Sequence, residues 1–144
     1  MNAVTHLPIR AKIGRIEAAM KQMEGQLDLP PVHHFSKGLY ARELFIPKGT
    51  LIVGKIHKYE CLNTMLGDIS VLTEEGVKRL TGFHTFTSAP GVKRVGYTHK
   101  DTIWICYHAS GETNLEKLED ELIAKTYDDV ALDTIEIEAL TGGA

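Results

Sequence analysis

The chain has 144 residues, 43% of them apolar and 24% charged, the composition of an ordinary globular domain large enough to bury a core. A net charge of −3 and an isoelectric point near 6.1 argue against a nucleic-acid or anionic-membrane partner. No apolar run approaches the ~18 residues of a spanning helix, and the N-terminal stretch lacks the compact apolar segment of a secretion signal.

Residues 1–31 read as a helical arm. Ile9, Ile13, Ile16, Met20 and Met23 recur at spacings of three and four, which predicts a helix over Ile9–Gln26 with one apolar stripe. Gly25 and the Pro30-Pro31 pair end it.

Residues 32–110 change character. Short β-rich runs alternate with turn clusters, the schedule of a β-sandwich or barrel. Strands are expected at Val32–Phe35, Leu39–Ile46, Leu51–His57, Glu60–Leu66, Asp68–Leu72, Val77–Leu80, Phe83–Thr87, Lys93–Thr98 and Thr102–His108. The turns between them include Ser36-Lys37-Gly38, Pro47-Lys48-Gly49, Glu74-Glu75-Gly76, Ala89-Pro90-Gly91 and His99-Lys100-Asp101. Proline presets φ and glycine accepts positive φ, so each cluster has a mechanical reason to turn.

Residues 111–144 begin with a second helix. Thr113 followed by Glu116 has the form of a capping box, and Leu115, Leu118, Leu122 and Ile123 form an apolar stripe. Thr126–Ala144 is acidic and is expected to be loose unless held.

The two cysteines, Cys61 and Cys106, are too few for a disulfide scaffold. They read as small buried hydrophobes of a reducing compartment, with a metal-ligand role for Cys61 as the alternative. No CxxC, P-loop, GxGxxG, HExxH or GxSxG pattern occurs.

The chemistry-bearing stretch is Gly49–Gly67. Gly49 is followed by five residues, then Lys55-Ile56-His57, two residues, Glu60, six residues and Gly67. This resembles the first motif of the cupin superfamily: Gly, five residues, His-X-His, three or four residues, Glu, six residues, Gly. Lys55 stands at its first histidine. The second cupin motif is matched in part, with Gly91 at its second glycine, Arg94 at its histidine and Thr98 at its asparagine. The resemblance implies a single cupin or jelly-roll β-barrel with an N-terminal and a C-terminal helix. The stretch ARELFIPKGTLIVGKIHK, and the Asp-Thr-Ile-Trp strand followed by a Leu-Glu-Lys-Leu-Glu helix, are similar to small cupin-like proteins of tailed bacteriophages.

A cupin metal site uses three histidines and a glutamate. Here only His57 and Glu60 correspond. Lys55 and Arg94 are cations that repel a dication and offer no lone pair while protonated. His99 is the histidine best placed to help His57 and Glu60 rebuild a divalent transition-metal site. If Glu60 faces inward, alternation sends Leu62, Thr64 and Leu66 in with it and Cys61, Asn63 and Met65 out. Lys55, His57, Glu60 and Arg94 would then share one mouth. His57 with Glu60 would be a general base and its orienting carboxylate, and Lys55 with Arg94 an anion grip. A network that merely satisfies a polar interior is the bland alternative. Trp104 and Tyr107 read as core or subunit interface, and Phe83 and Phe86 as core.

Two functional readings follow, and the sequence leaves enzymatic activity open. The first is a non-enzymatic phage protein acting through assembly, as a virion accessory or decoration component with a filled interior and no cofactor. It would sit in the host cytoplasm or virion. The second is a small-molecule enzyme or binder with an anion or metal site at the barrel mouth. Either is expected to be a homo-oligomer.

Overall fold

The computed structural model describes residues 6–22, 24–73 and 76–124. Met23, the Glu74-Glu75 turn and the acidic Thr126–Ala144 tail lie outside the described residues. A curled antiparallel sheet carries one helix before it and one after it, the fold class expected from the sequence.

The elements in chain order are α1 (His6–Lys21), β1 (Val32–Ser36), β2 (Leu39–Ile46), β3 (Leu51–Val53), β4 (Ile56–His57), β5 (Cys61–Thr73), β6 (Gly76–Ser88), β7 (Val95–Thr98), β8 (Thr102–Ala109), α2 (Leu115–Leu122) and β9 (Ile123–Ala124). The main sheet runs β1-β2-β8-β5-β7-β3, with β6 on the other edge of β5, and β4 pairs β9 separately.

β5 organises the barrel. Its whole length pairs β6. Its first half, Leu62–Leu66, pairs β8, and its second half, Ile69–Leu72, pairs β7. The partner changes at Gly67, which faces Gly82 across the β5–β6 ladder. There the β7–β8 corner lands on the strand: Asp68 O accepts from His99 N and Lys100 N, and Thr102 Oγ1 accepts from Asp68 N. Gly67 has φ +151°, and a Cβ on it would lie 2.7 Å from Thr102 Cα. Only glycine lets the backbones approach this closely.

The expected strand breaks at Gly67 and around Leu80–Phe83 are therefore absent. Glu60–Leu66 with Asp68–Leu72, and Val77–Leu80 with Phe83–Thr87, are single thirteen-residue strands. The expected Leu51–His57 strand is instead two. Gly54 N donates to Arg94 O, closing the β3–β7 ladder, and β4 leaves to pair β9, a strand not expected from the sequence.

The facing of β5 is the reverse of that expected. Cys61, Asn63 and Met65 are buried, whereas Leu62 is 51% and Leu66 53% exposed. The parity follows the second half of the strand, where Ile69 and Val71 enter the core with Met65 and Ile46.

α2 starts one residue later than the capping-box reading places it. Asn114 is the N-cap, and its Oδ1 accepts from Lys117 N. Leu118 and Leu122 are buried against Tyr40. Burying each contributes about 1.5–3 kcal/mol, which holds an eight-residue helix that would not persist alone. β9 continues the anchoring: Ile56 and Ala124 pack together, and Lys58 N donates to Leu122 O. α1 buries Ile13 and is tied to the loop before β7 by a Lys93–Glu17 ion pair of 2.6 Å.

Candidate functional site

The barrel encloses a cavity of about 400 Å³. Its chemistry is set by cross-strand rows, because residues opposite each other in a ladder point to the same face. One row is Tyr40 opposite His108. The next is His33, Arg42, Cys106 and Asn63 across β1, β2, β8 and β5. A third is Leu44, Trp104 and Met65. The floor is apolar, with Ile46, Ile52, Ile69 and Val71. α2 and β9 contribute Leu115, Leu118, Glu119, Leu122 and Ile123, and so roof the mouth.

Lys55, His57 and Arg94 line the cavity. Glu60 does not: it is exposed at the corner between β4 and β5, one residue before the inward parity begins. His99 is also outside the lining. Its Nε2 lies 2.8 Å from Ser70 Oγ and its ring meets Tyr97 edge-on. Lys55 Nζ donates to Glu119 Oε1 at 2.9 Å, joining the barrel rim to α2. The metal set implied by the cupin resemblance therefore does not fit here. Two of its positions hold cations, and the carboxylate faces solvent.

Arg42, Asn63, Cys61, Cys106 and His108 are functional candidates that motif matching misses. Asn63 is 1% exposed and hydrogen-bonded through both ends of its amide. Its Oδ1 accepts from Trp104 Nε1 and from the Cys106 thiol, both at 3.1 Å, and its Nδ2 donates to Ser88 Oγ at 2.7 Å. This fixes Trp104, whose ring meets Phe86 edge-on. The Arg94 guanidinium lies 5.3 Å from the Phe86 ring centroid and 5.8 Å from that of Trp104, a cation–π shelf. Trp104 is thus cavity wall as well as core.

At the rim the rings form a chain. His33 Nδ1 is 2.7 Å from the Tyr40 hydroxyl, Tyr40 stacks on His108, and His108 meets His57 edge-on at 5.0 Å. His57 Nδ1 lies 3.2 Å from Cys61 Sγ. The nitrogens of His57 and His108 and the Cys61 sulfur all lie within 4.8 Å of one another, close enough for one metal ion to reach all three.

The electrostatics are those of a positive enclosure. Burial pushes His57 down to about 4, and neighbouring His108, Arg42, Arg94 and Lys55 add to the shift. Burial and Arg42 also lower His108, and burial, Arg42 and His34 lower His33. These imidazoles are neutral at neutral pH. Burial raises the Cys61 thiol and takes Cys106 to about 12. Among the described lining residues the one carboxylate is Glu119, at the mouth.

No protein-family model matches the sequence, and no curated protein matches it. Solved structures do match in shape. Ectoine synthase from P. lautus aligns with a TM-score of 0.50 at 12% identity, covering 74% of this chain and 84% of that one. An uncharacterized conserved protein with a double-stranded β-helix domain from Klebsiella pneumoniae aligns at TM-score 0.49 and 12% identity, covering 64% and 85%. A cupin domain from Bordetella pertussis aligns at TM-score 0.47 and 16% identity, covering 60% and 97%. At these identities the likeness is one of fold. Nothing in these matches links the chain to bacteriophage proteins.

Proposed function

We propose that the protein binds a small carboxylate-bearing molecule inside the barrel. The observation that carries this reading is Arg42. It projects from the centre of β2 into a cavity of about 400 Å³, and among the described residues it takes part in no ion pair. A half-buried guanidinium is costly unless it is paired, and a bound anion would supply a partner that the described residues do not. Arg94, on its aromatic shelf, adds a second positive charge deeper in the cavity. The apolar floor suits the body of such a ligand, and the volume falls within the range of small-molecule sites.

The assembly reading calls for an interior filled by side chains, and the cavity weighs against it. The test is a panel of short aliphatic and aromatic monocarboxylates, each paired with its neutral amide. Thermal shift and calorimetry would be run on wild type and Arg42→Met. The acids are expected to stabilise the wild type and the amides are not. Losing a charge-assisted hydrogen-bond pair of about 1.5–3 kcal/mol weakens binding roughly 10- to 150-fold in Arg42→Met. Equal stabilisation by acid and amide, or unchanged affinity in Arg42→Met, would overturn the reading.

A further inference from the structure

His57, Cys61 and His108 come from β4, β5 and β8 and meet at the rim. We propose that these three side chains bind one borderline-soft transition-metal ion of the zinc class, with the fourth coordination position open to the cavity. The site differs from the cupin motif set, which is broken at Lys55 and Arg94 and faces solvent at Glu60.

The donor set carries the choice of ion. Two imidazoles and a thiolate suit zinc, and a three-ligand zinc site leaves a fourth place for water or a ligand. With bonds of about 2.0–2.3 Å, tetrahedral geometry puts ligand atoms roughly 3.3–3.6 Å apart. The His57–Cys61 pair is already at 3.2 Å, and every pair lies within 4.8 Å. Side-chain adjustments of about an ångström close the remainder.

Placement decides which side is open. His57 and His108 line the cavity and Cys61 does not. The sulfur therefore backs the site, and the free position faces inward, toward the space beside Arg42. Arg42, Arg94 and Lys55 share this cavity with His57 and oppose a dication. The thiolate offsets one unit of that charge. Binding exchanges the thiol proton for the ion: M²⁺ and Cys–SH give the metal thiolate and one H⁺.

The ion would also join the roof to the wall. His57 pairs with Ile123 of β9, whereas Cys61 and His108 belong to strands of the main sheet. One metal would thus fasten the β4–β9 ribbon, and with it α2, over the cavity.

The test is cobalt titration of tag-free protein stripped with a chelator, followed by elemental mass spectrometry of zinc-loaded samples. Wild type is expected to hold near one equivalent, to release one proton per ion, and to show a near-ultraviolet thiolate-to-cobalt charge-transfer band. Cys61→Ser removes the band. Cys106→Ser, whose sulfur lies outside the cluster, keeps it, and so does Arg42→Met, which removes the anion grip but no ligand. The metal proposal and the carboxylate reading therefore fail separately. Protection of Cys61 from alkylation by zinc gives a second readout on unmutated protein. Absence of the band in wild type, its survival in Cys61→Ser, its loss in Cys106→Ser, or alkylation of Cys61 indifferent to zinc would overturn the proposal.

Discussion

Gly67→Ala is the substitution that most directly probes why the barrel closes. A Cβ at this position would lie 2.7 Å from Thr102 Cα and 2.8 Å from Thr102 Cβ. Neither atom can retreat easily. Thr102 is fully buried, its hydroxyl donates to Lys100 O and accepts from Asp68 N, and its backbone pairs Ile46 of β2. Overpacking against a fixed backbone costs about 1–3 kcal/mol. The φ of +151° adds strain of about 1–3 kcal/mol for any residue with a Cβ. The entropy that alanine removes from the unfolded chain returns about 0.4–1 kcal/mol. The expected net loss is about 1–5.5 kcal/mol, a large share of the ~5–15 kcal/mol that holds a domain folded.

Gly96→Ala supplies the contrast. Its added Cβ would meet Ile69 Cδ1 at 2.9 Å, the far end of a side chain that can turn, and its φ lies outside the glycine-favouring region. That cost is expected near 1 kcal/mol. Urea unfolding followed by the emission of Trp104, the single tryptophan, measures both. A Gly67→Ala protein within about 1 kcal/mol of wild type, or one more stable than Gly96→Ala, would refute the account of the corner.

Three further outcomes are expected. Asn63→Leu strands Trp104 Nε1–H and the Ser88 hydroxyl; at about 1–3 kcal/mol each, the loss is about 2–6 kcal/mol, and an unchanged urea midpoint would contradict it. Leu118→Ala removes a buried anchor of α2 at about 2–5 kcal/mol, and Trp104, which shares the cavity that α2 roofs, should become more accessible to acrylamide; unaltered quenching would mean α2 is not the roof. Asp68 is held below the usual carboxylate range first by its hydrogen bonds from Arg79 and then by that residue's charge. A depressed folded pKa stabilises the protein above the ordinary aspartate value of about 3.9 and ceases to do so as pH falls through the folded value. Arg79→Met should therefore be less stable than wild type at neutral pH, with the gap narrowing in acid; a gap independent of pH would exclude the linkage.

The barrel and both helices were legible because turn clusters and apolar periodicity are local signals. Facing was not. An inward Glu60 sends every residue of Cys61–Leu66 to the side opposite the one observed. Leu62 and Leu66 looked as apolar as Cys61 and Met65, so alternation within Glu60–Leu66 could not arbitrate. The information lay past Gly67, where Ile69 and Val71 alternate with Asp68 and Ser70. A strand break at Gly67 would hide it. Carried through the glycine as one strand, that parity places Met65, Asn63 and Cys61 inside, as observed. Ladder register would then bring in Cys106 and Trp104 on β8. Arg42 has a comparable signature, a cation at the spacing of Tyr40, Leu44 and Ile46 on one strand. β9 has none, since two residues after a helix carry no period, and its pairing depends on where β4 happens to leave the sheet.

The cupin-like pattern thus divides into two kinds of residue that answer to different constraints. Gly49 has φ +77° in the turn after β2, and Gly67 sits where backbones touch. Both are required by chain geometry whatever the barrel contains. The ligand positions are required only by the chemistry inside, and here they carry Lys55 and Arg94 instead of imidazoles. The matching glycines therefore report the barrel and say nothing of the motif's metal. What the interior offers in its place is Arg42 at the centre of β2 and the His57–Cys61–His108 cluster one row above it, both assembled by strand register and neither visible to a linear motif.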